Sequence, residues 1–183
     1  GFSALSAICV TAGYCFIGAA WLVMKTEGEL QQKSAYWARR MGWISFVGVT
    51  CVCVVNPVIN AHVYERWFSF PFGFALLSIP LMNIFLFIIV DSILARIPLD
   101  QDFGCWIPFL GAVGIFFVSF QGLAYSFYPY IIPGQLTMVE AASAPESLSF
   151  IFIGAIIVVP IILAYTALSY RVYWGKATQL KYY

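Results

Sequence analysis

Five long stretches of this chain carry almost no charge, and they restrict its fold more than anything else in it. They run roughly over residues 2–24, 41–62, 70–92, 106–128 and 149–173. A helix needs about 20 apolar residues to cross a hydrocarbon layer ~30 Å thick. Inside that layer every backbone N–H and C=O must be bonded within the protein, and for single runs of this length a helix is the solution. Each run is apolar round its whole circumference, so none needs a wet face. The chain is therefore expected to be an all-α membrane protein of five spans. Composition agrees: 62% of the 183 residues are hydrophobic and 9% are charged, against about 25% charged in a soluble domain. The net charge of +1 offers no basic excess for nucleic acid.

The charges fall between the runs. In "WLVMKTEGELQ" (21–31) an oily segment ends abruptly in Lys25, Thr26, Glu27 and Glu29, as expected where a helix leaves the membrane. Lys25, Lys33, Arg39 and Arg40 separate spans one and two; Arg66 alone lies between two and three, and Arg96 between three and four. Arg171, Lys176 and Lys181 cluster at the end of span five and beyond it. Positive charge collects on the cytoplasmic side. The expected topology puts 25–40, Arg96 and the C-terminus in the cytoplasm, and the chain start and the loop 129–148 outside. Trp21, Trp37, Trp43, Trp67, Trp106 and Trp174 all fall near span ends, the usual interfacial position for such rings. The chain begins with Gly1 and has no basic segment ahead of its first span. It is read as a piece of a larger polypeptide, not as a signal peptide.

Pro57, Pro80 and Pro160 lie inside spans, where each removes a backbone donor. Ser3, Ala7, Thr11, Cys15 and Ala19 recur at steps of four and are expected to form a packing seam in a tight bundle, within this chain or with another subunit. The five cysteines, with no CxxC pair among them, read as small apolar side chains.

Few side chains offer chemistry. Two axial imidazoles are needed for a bis-histidine haem, and His62 is the single histidine. Dinucleotide, P-loop and HExxH motifs are absent. Ionisable groups within a membrane are the first functional candidates. Asp91, near the cytoplasmic end of span three, is such a group, either in a proton path or as an interfacial carboxylate near Arg96. Asn83 and Gln121 are amides within spans, suited to interhelical hydrogen bonds. Glu27 and Glu29 are candidates for proton entry, or for pairing with Lys33, Arg39 or Arg40. Glu140 and Glu146 sit in the outer loop, where Ser147 or Ser149 is expected to cap span five.

Three blocks, "GAAWLVMKTEGELQ" (18–31), "YPYIIP" with "LTMVEAASAPESL" (128–148) and "VPIILAYTALSYRVYWGK" (159–176), resemble subunit II of the bacterial cytochrome bd quinol oxidases, including the cyanide-insensitive type. The family subunit has nine helices, as two four-helix bundles and a peripheral helix. The resemblance implies a single helical domain over 1–183 that corresponds to the second bundle plus the final helix, with the first four helices absent. It implies a bacterial inner-membrane chain that is not catalytic alone and holds no catalytic, cofactor or metal ligand. Its partner would be subunit I, which carries haem b and haem d and oxidises quinol, so that the complex reduces O2 to water and adds to the proton motive force. A structural quinone and a small accessory subunit are compatible with the same reading. Half of a secondary transporter and a purely structural scaffold are the alternatives, the first suggested by the interrupted spans and Asn83.

Overall fold

The computed structural model describes residues 2–68, 72–98, 104–132, 135–173 and 175–176. Trp174 and Lys181, and the side chains of Ser3, His62 and Arg66, lie outside the described residues. Among the described residues six helices follow in order: α1 (Phe2–Lys25), α2 (Gly28–Ile59), α3 (Ala61–Phe68), α4 (Phe72–Leu94), α5 (Ile107–Phe127) and α6 (Pro145–Val172). Between α5 and α6 two short strands pair antiparallel, β1 (Tyr130–Ile132) and β2 (Leu136–Thr137). Five of the helices are long and apolar enough to cross a membrane.

The chain forms two compact units. The first holds α1 to α5. It is a four-helix arrangement of α1, α2, α4 and α5, to which α3 is added as a short helix between α2 and α4. The second, Pro129–Gly175, holds the strand pair and α6.

The second span begins well before its expected start at residue 41. Helix α2 contains 32 residues, or about 48 Å at 1.5 Å per residue. The stretch from Glu29 to Arg40 contains no glycine or proline, so nothing stops the helix at the membrane surface. Gly28, at φ +66°, lets the chain turn from α1 directly into it. One face of α2 is a row of buried small or polar residues at steps of three and four: Gln31, Ser34, Ala38, Gly42, Ser45 and Gly48.

That row receives α1 through a face other than the small-residue stripe. Ala7, Thr11 and Cys15 are exposed on the first unit and Ala19 is half-buried. The buried face of α1 is Ala12, Phe16, Ala20 and Val23. The reason lies in the partner helix. A Cβ built on Gly42 would stand 3.1 Å from the Phe16 ring, so the missing side chain on α2 is the space that the ring occupies. Packing contact drives association between helices in lipid, and a large side chain in a matching hollow makes more of it than two facing rows of small residues.

The core continues through Phe87, Val90 and Leu94 of α4 and Ala112 and Ile115 of α5. Phe46 stacks on Phe87 at 4.4 Å, and Trp43 meets the same ring edge-on at 5.0 Å. At the far end of the unit, α3 is tied down by a hydrogen bond. The Trp67 indole N–H donates to Ser126 Oγ at 3.1 Å, and that hydroxyl donates to the Gly122 carbonyl at 2.7 Å.

In the second unit, α6 starts at Pro145 after Ala144, without a side-chain cap. Ser147 and Ser149 therefore lie inside its first turns, not at the capping position. Proline at the first helical position needs no N–H and presets φ, which explains the earlier start. The Ser149 hydroxyl instead donates to the Pro145 carbonyl at 2.8 Å.

The turn after β2 is closed by Glu140. The Thr137 amide and hydroxyl donate to one Glu140 oxygen at 2.9 and 2.8 Å, and the Glu140 amide donates to Thr137 Oγ1 at 3.3 Å. The backbone bond first, then the hydroxyl bond, holds the Glu140 carboxyl below its ordinary pKa. A depressed carboxyl pKa contributes order that is present above the unfolded value, about 4.3 for glutamate, and is lost as pH falls through the folded one. The protection of the amides over 137–141, measured against the intrinsic exchange rate at each pH, is expected to fall on acidification through that window. Glu140→Gln should show the low protection already at pH 7 and lose its difference from the wild type in acid. Equal exchange in the two proteins at pH 7 would remove Glu140 from the turn.

Candidate functional site

Asp91 lies on the last turns of α4 and meets α2, not Arg96. Arg39 grips it with both arms: Nε donates to Oδ1 at 2.9 Å and Nη2 to Oδ2 at 3.1 Å. Helix geometry explains the change of partner. Arg96 follows Asp91 by five residues, which on a helix is about 140° away around the axis, and α4 has ended by Leu94. Arg39 is one turn above Trp43, whose ring packs on Phe87, and Phe87 is one turn from Asp91. The aromatic contact and the ion pair thus fasten the same two helices at successive turns. The fork uses both carboxylate oxygens, the strongest geometry available to this pair.

The other candidates do not join it. Glu27 is exposed at the start of α2. Glu29 stands 3.9 Å from Lys33, with both side chains open to solvent, a pairing of little energetic weight. Arg39 is taken by Asp91, and Arg40 donates to the Tyr36 hydroxyl at 3.2 Å, so neither arginine turns to these glutamates. Asn83 is buried at the middle of α4, and its amide N–H donates to Ser119 Oγ on α5 at 3.2 Å. Gln121 is exposed on α5.

A buried polar group near the α1–α2 turn escaped sequence reasoning. Gln31 is 3% exposed, and its amide donates to the Val23 carbonyl at 3.2 Å and reaches Cys105 Sγ at 3.6 Å. Thr26 beside it is buried, its hydroxyl donating to the Leu22 carbonyl at 2.7 Å. Lys25 lies 5.3 Å over the Trp21 ring. The signal was present in the sequence, since Gln31 stands in register with Ser34, Ala38 and Gly42 on α2. It becomes visible only once the helix is known to begin before residue 41.

The polar groups are thus spread along the first unit. Asp91 and Asn83 are eight residues apart, about 12 Å along α4. Each joins its helix to a different neighbour. Among the described residues no group of three or more His, Cys, Asp or Glu could hold a metal ion.

Five apolar helices, with Arg39–Asp91 and Asn83–Ser119 binding one helix to the next, define an all-α, multi-pass membrane protein. The family model for cytochrome bd terminal oxidase subunit II matches residues 1–173. The chain belongs to that family. No curated protein sequence matches it.

Proposed function

We propose that this chain packs against a haem-bearing subunit I, in an assembly that oxidises quinol, reduces O2 to water and contributes to the proton motive force. The observation that carries this reading is the family match over residues 1–173. The internal chemistry supports a supporting role. Its ion pair and its buried amides link helices. With His62 as its one histidine, the chain supplies at most one imidazole, one short of a bis-histidine haem site. The haems, when present in the partner, supply the redox chemistry, and the residues of this chain hold the scaffold beside them. The side bearing Lys25 to Arg40 is the cytoplasmic one, by the distribution of positive charge.

Purification through a tag on this chain, in mild detergent, tests the proposal. A copurifying subunit with haem b and haem d absorption is expected, and deletion of the chain should abolish quinol-dependent oxygen uptake. A colourless preparation with no second subunit, or full oxygen uptake without the chain, would overturn it.

A further inference from the structure

Arg39 and Arg40 are neighbours in sequence with opposite surroundings. Arg39 is engaged by Asp91. Arg40 lies about 100° further round α2 and is exposed. Its Nη1 donates to the Tyr36 hydroxyl at 3.2 Å, one turn earlier. The other Arg40 N–H groups have no acceptor among the described residues, and neither has the Tyr36 hydroxyl proton. Two joined donors thus stand on an outer face of α2 with nothing to accept from them.

The length of α2 sets their depth. A hydrocarbon layer of ~30 Å takes about 20 residues, and counting back from Ile59 puts its edge near Arg40. Lys33, Trp37, Arg40, Ile44 and Val47 recur at steps of three and four and are all exposed, so they share one face. Along it, cations and an aromatic ring at head-group level give way to aliphatic side chains at hydrocarbon level. Helical side chains lean toward the N-terminus of their helix, here away from the hydrocarbon, so the Arg40 guanidinium is carried out to the depth of lipid phosphates. The Tyr36 and Trp37 rings meet edge-on beside it at 5.8 Å.

We propose that this face binds the head group of an anionic phospholipid. The phosphate sits between the Arg40 guanidinium and the Tyr36 hydroxyl, which both donate to it, and an acyl chain runs along Ile44 and Val47, 39% and 56% exposed. A guanidinium presents its N–H groups in a fork that fits phosphate oxygens. A phosphodiester offers acceptors only, as the paired donors require. Lys33, seven residues and about 10 Å further out, adds attraction. Its partner Glu29 is 3.9 Å away with both side chains open to water, too weak a pair to hold it. The charges select an anionic lipid over a zwitterionic one. The face carries two cations, Lys33 and Arg40, and one carboxylate, Glu29, and Glu29 stands eleven residues, about 16 Å, from Arg40. A head-group ammonium beside the bound phosphate therefore meets no carboxylate on this face.

Native mass spectrometry tests this on the protein extracted from its membrane with its partner subunits attached, titrated with phosphatidylglycerol and, separately, with phosphatidylcholine. Phosphatidylglycerol is expected to bind about 25-fold more tightly, on the scale of fivefold for each of two basic residues. Lys33→Gln should reduce that preference to about fivefold, and Arg40→Gln should reduce it at least as far. Arg40→Lys and Tyr36→Phe keep every charge, yet each should lower phosphatidylglycerol affinity severalfold, because each breaks the pair of donors. Wild-type affinity in either of these two would reduce the effect to diffuse attraction between charges and overturn the site. A density map in phosphatidylglycerol nanodiscs should show a phosphate within hydrogen-bond distance of both Arg40 and Tyr36. A protein side chain in that place, equal binding of the two lipids, or release of the lipid by inorganic phosphate alone would each overturn the proposal. Should Arg40→Gln fail to assemble, Tyr36→Phe carries the comparison.

Discussion

Gly48→Ala is expected to weaken the first unit by about 2 kcal/mol, the scale of overpacking in a close-fitted interior. A Cβ at this position would run into both Cβ and Sγ of Cys9 on α1, with the Cys9 Cα only 3.6 Å away. The obstruction cannot swing aside, because Cβ is fixed to the backbone. The helices must separate along a seam where Phe16 and Val23 are nearly fully buried. Gly111→Ala should cost less. There the added carbon meets one methyl of Val90, with the Val90 Cβ at 3.7 Å, and a methyl can turn away. Gly18→Ala is the control, since nothing lies within 4 Å. Thermal denaturation in detergent should rank the three in that order. Adding Cys9→Gly to Gly48→Ala exchanges which helix carries the side chain and should recover most of the loss. No recovery would mean that Cys9 is not the contact that sets the approach of α1 to α2.

Arg39→Leu should lower stability by about 1–2 kcal/mol, between the small value of exposed pairs and the 3–5 kcal/mol of fully buried ones. Its side chain is 43% exposed and that of Asp91 is 21% exposed, which places the pair between those limits. The two single variants should differ. Removing Arg39 leaves the more buried charge without its partner. Removing Asp91 leaves an arginine long enough to reach water. Arg39→Leu is therefore expected to be the worse, and the double variant Arg39→Leu/Asp91→Leu milder than the sum of the two. In the assembled oxidase, Asp91→Asn should reduce yield and heat resistance while turnover per haem stays unchanged across pH. A pH-dependent fall in turnover at normal yield would put Asp91 in a proton path instead. Equal losses in the single variants, adding fully in the double, would show that the pair carries no coupling.

The number of membrane helices was legible in the chain because apolar length is a local property. Span four, expected at 106–128, is α5 at Ile107–Phe127, and span one ends within a residue of α1. Asp91 and Asn83 were legible as candidates for the same reason, since a polar group in an oily run stands out from its neighbours. Their partners were not legible. Arg39 is separated from Asp91 by 52 residues and Ser119 from Asn83 by 36. Only the approach of α2 to α4 and of α4 to α5 selects them over nearer groups such as Arg96. Gln31 was missed because hydropathy begins the second span at about residue 41, whereas the helix starts at Gly28.

What the chain determined alone is that it threads a bilayer as helices, because unpaired backbone groups and charges are too costly in hydrocarbon at any position along such runs. What the tertiary structure decided is which face of each helix turns inward. Lipid and protein interior are equally oily, so hydropathy does not distinguish them. The choice falls instead to shape, with Phe16 against Gly42 and Cys9 against Gly48, and shape complementarity is a property of pairs of helices.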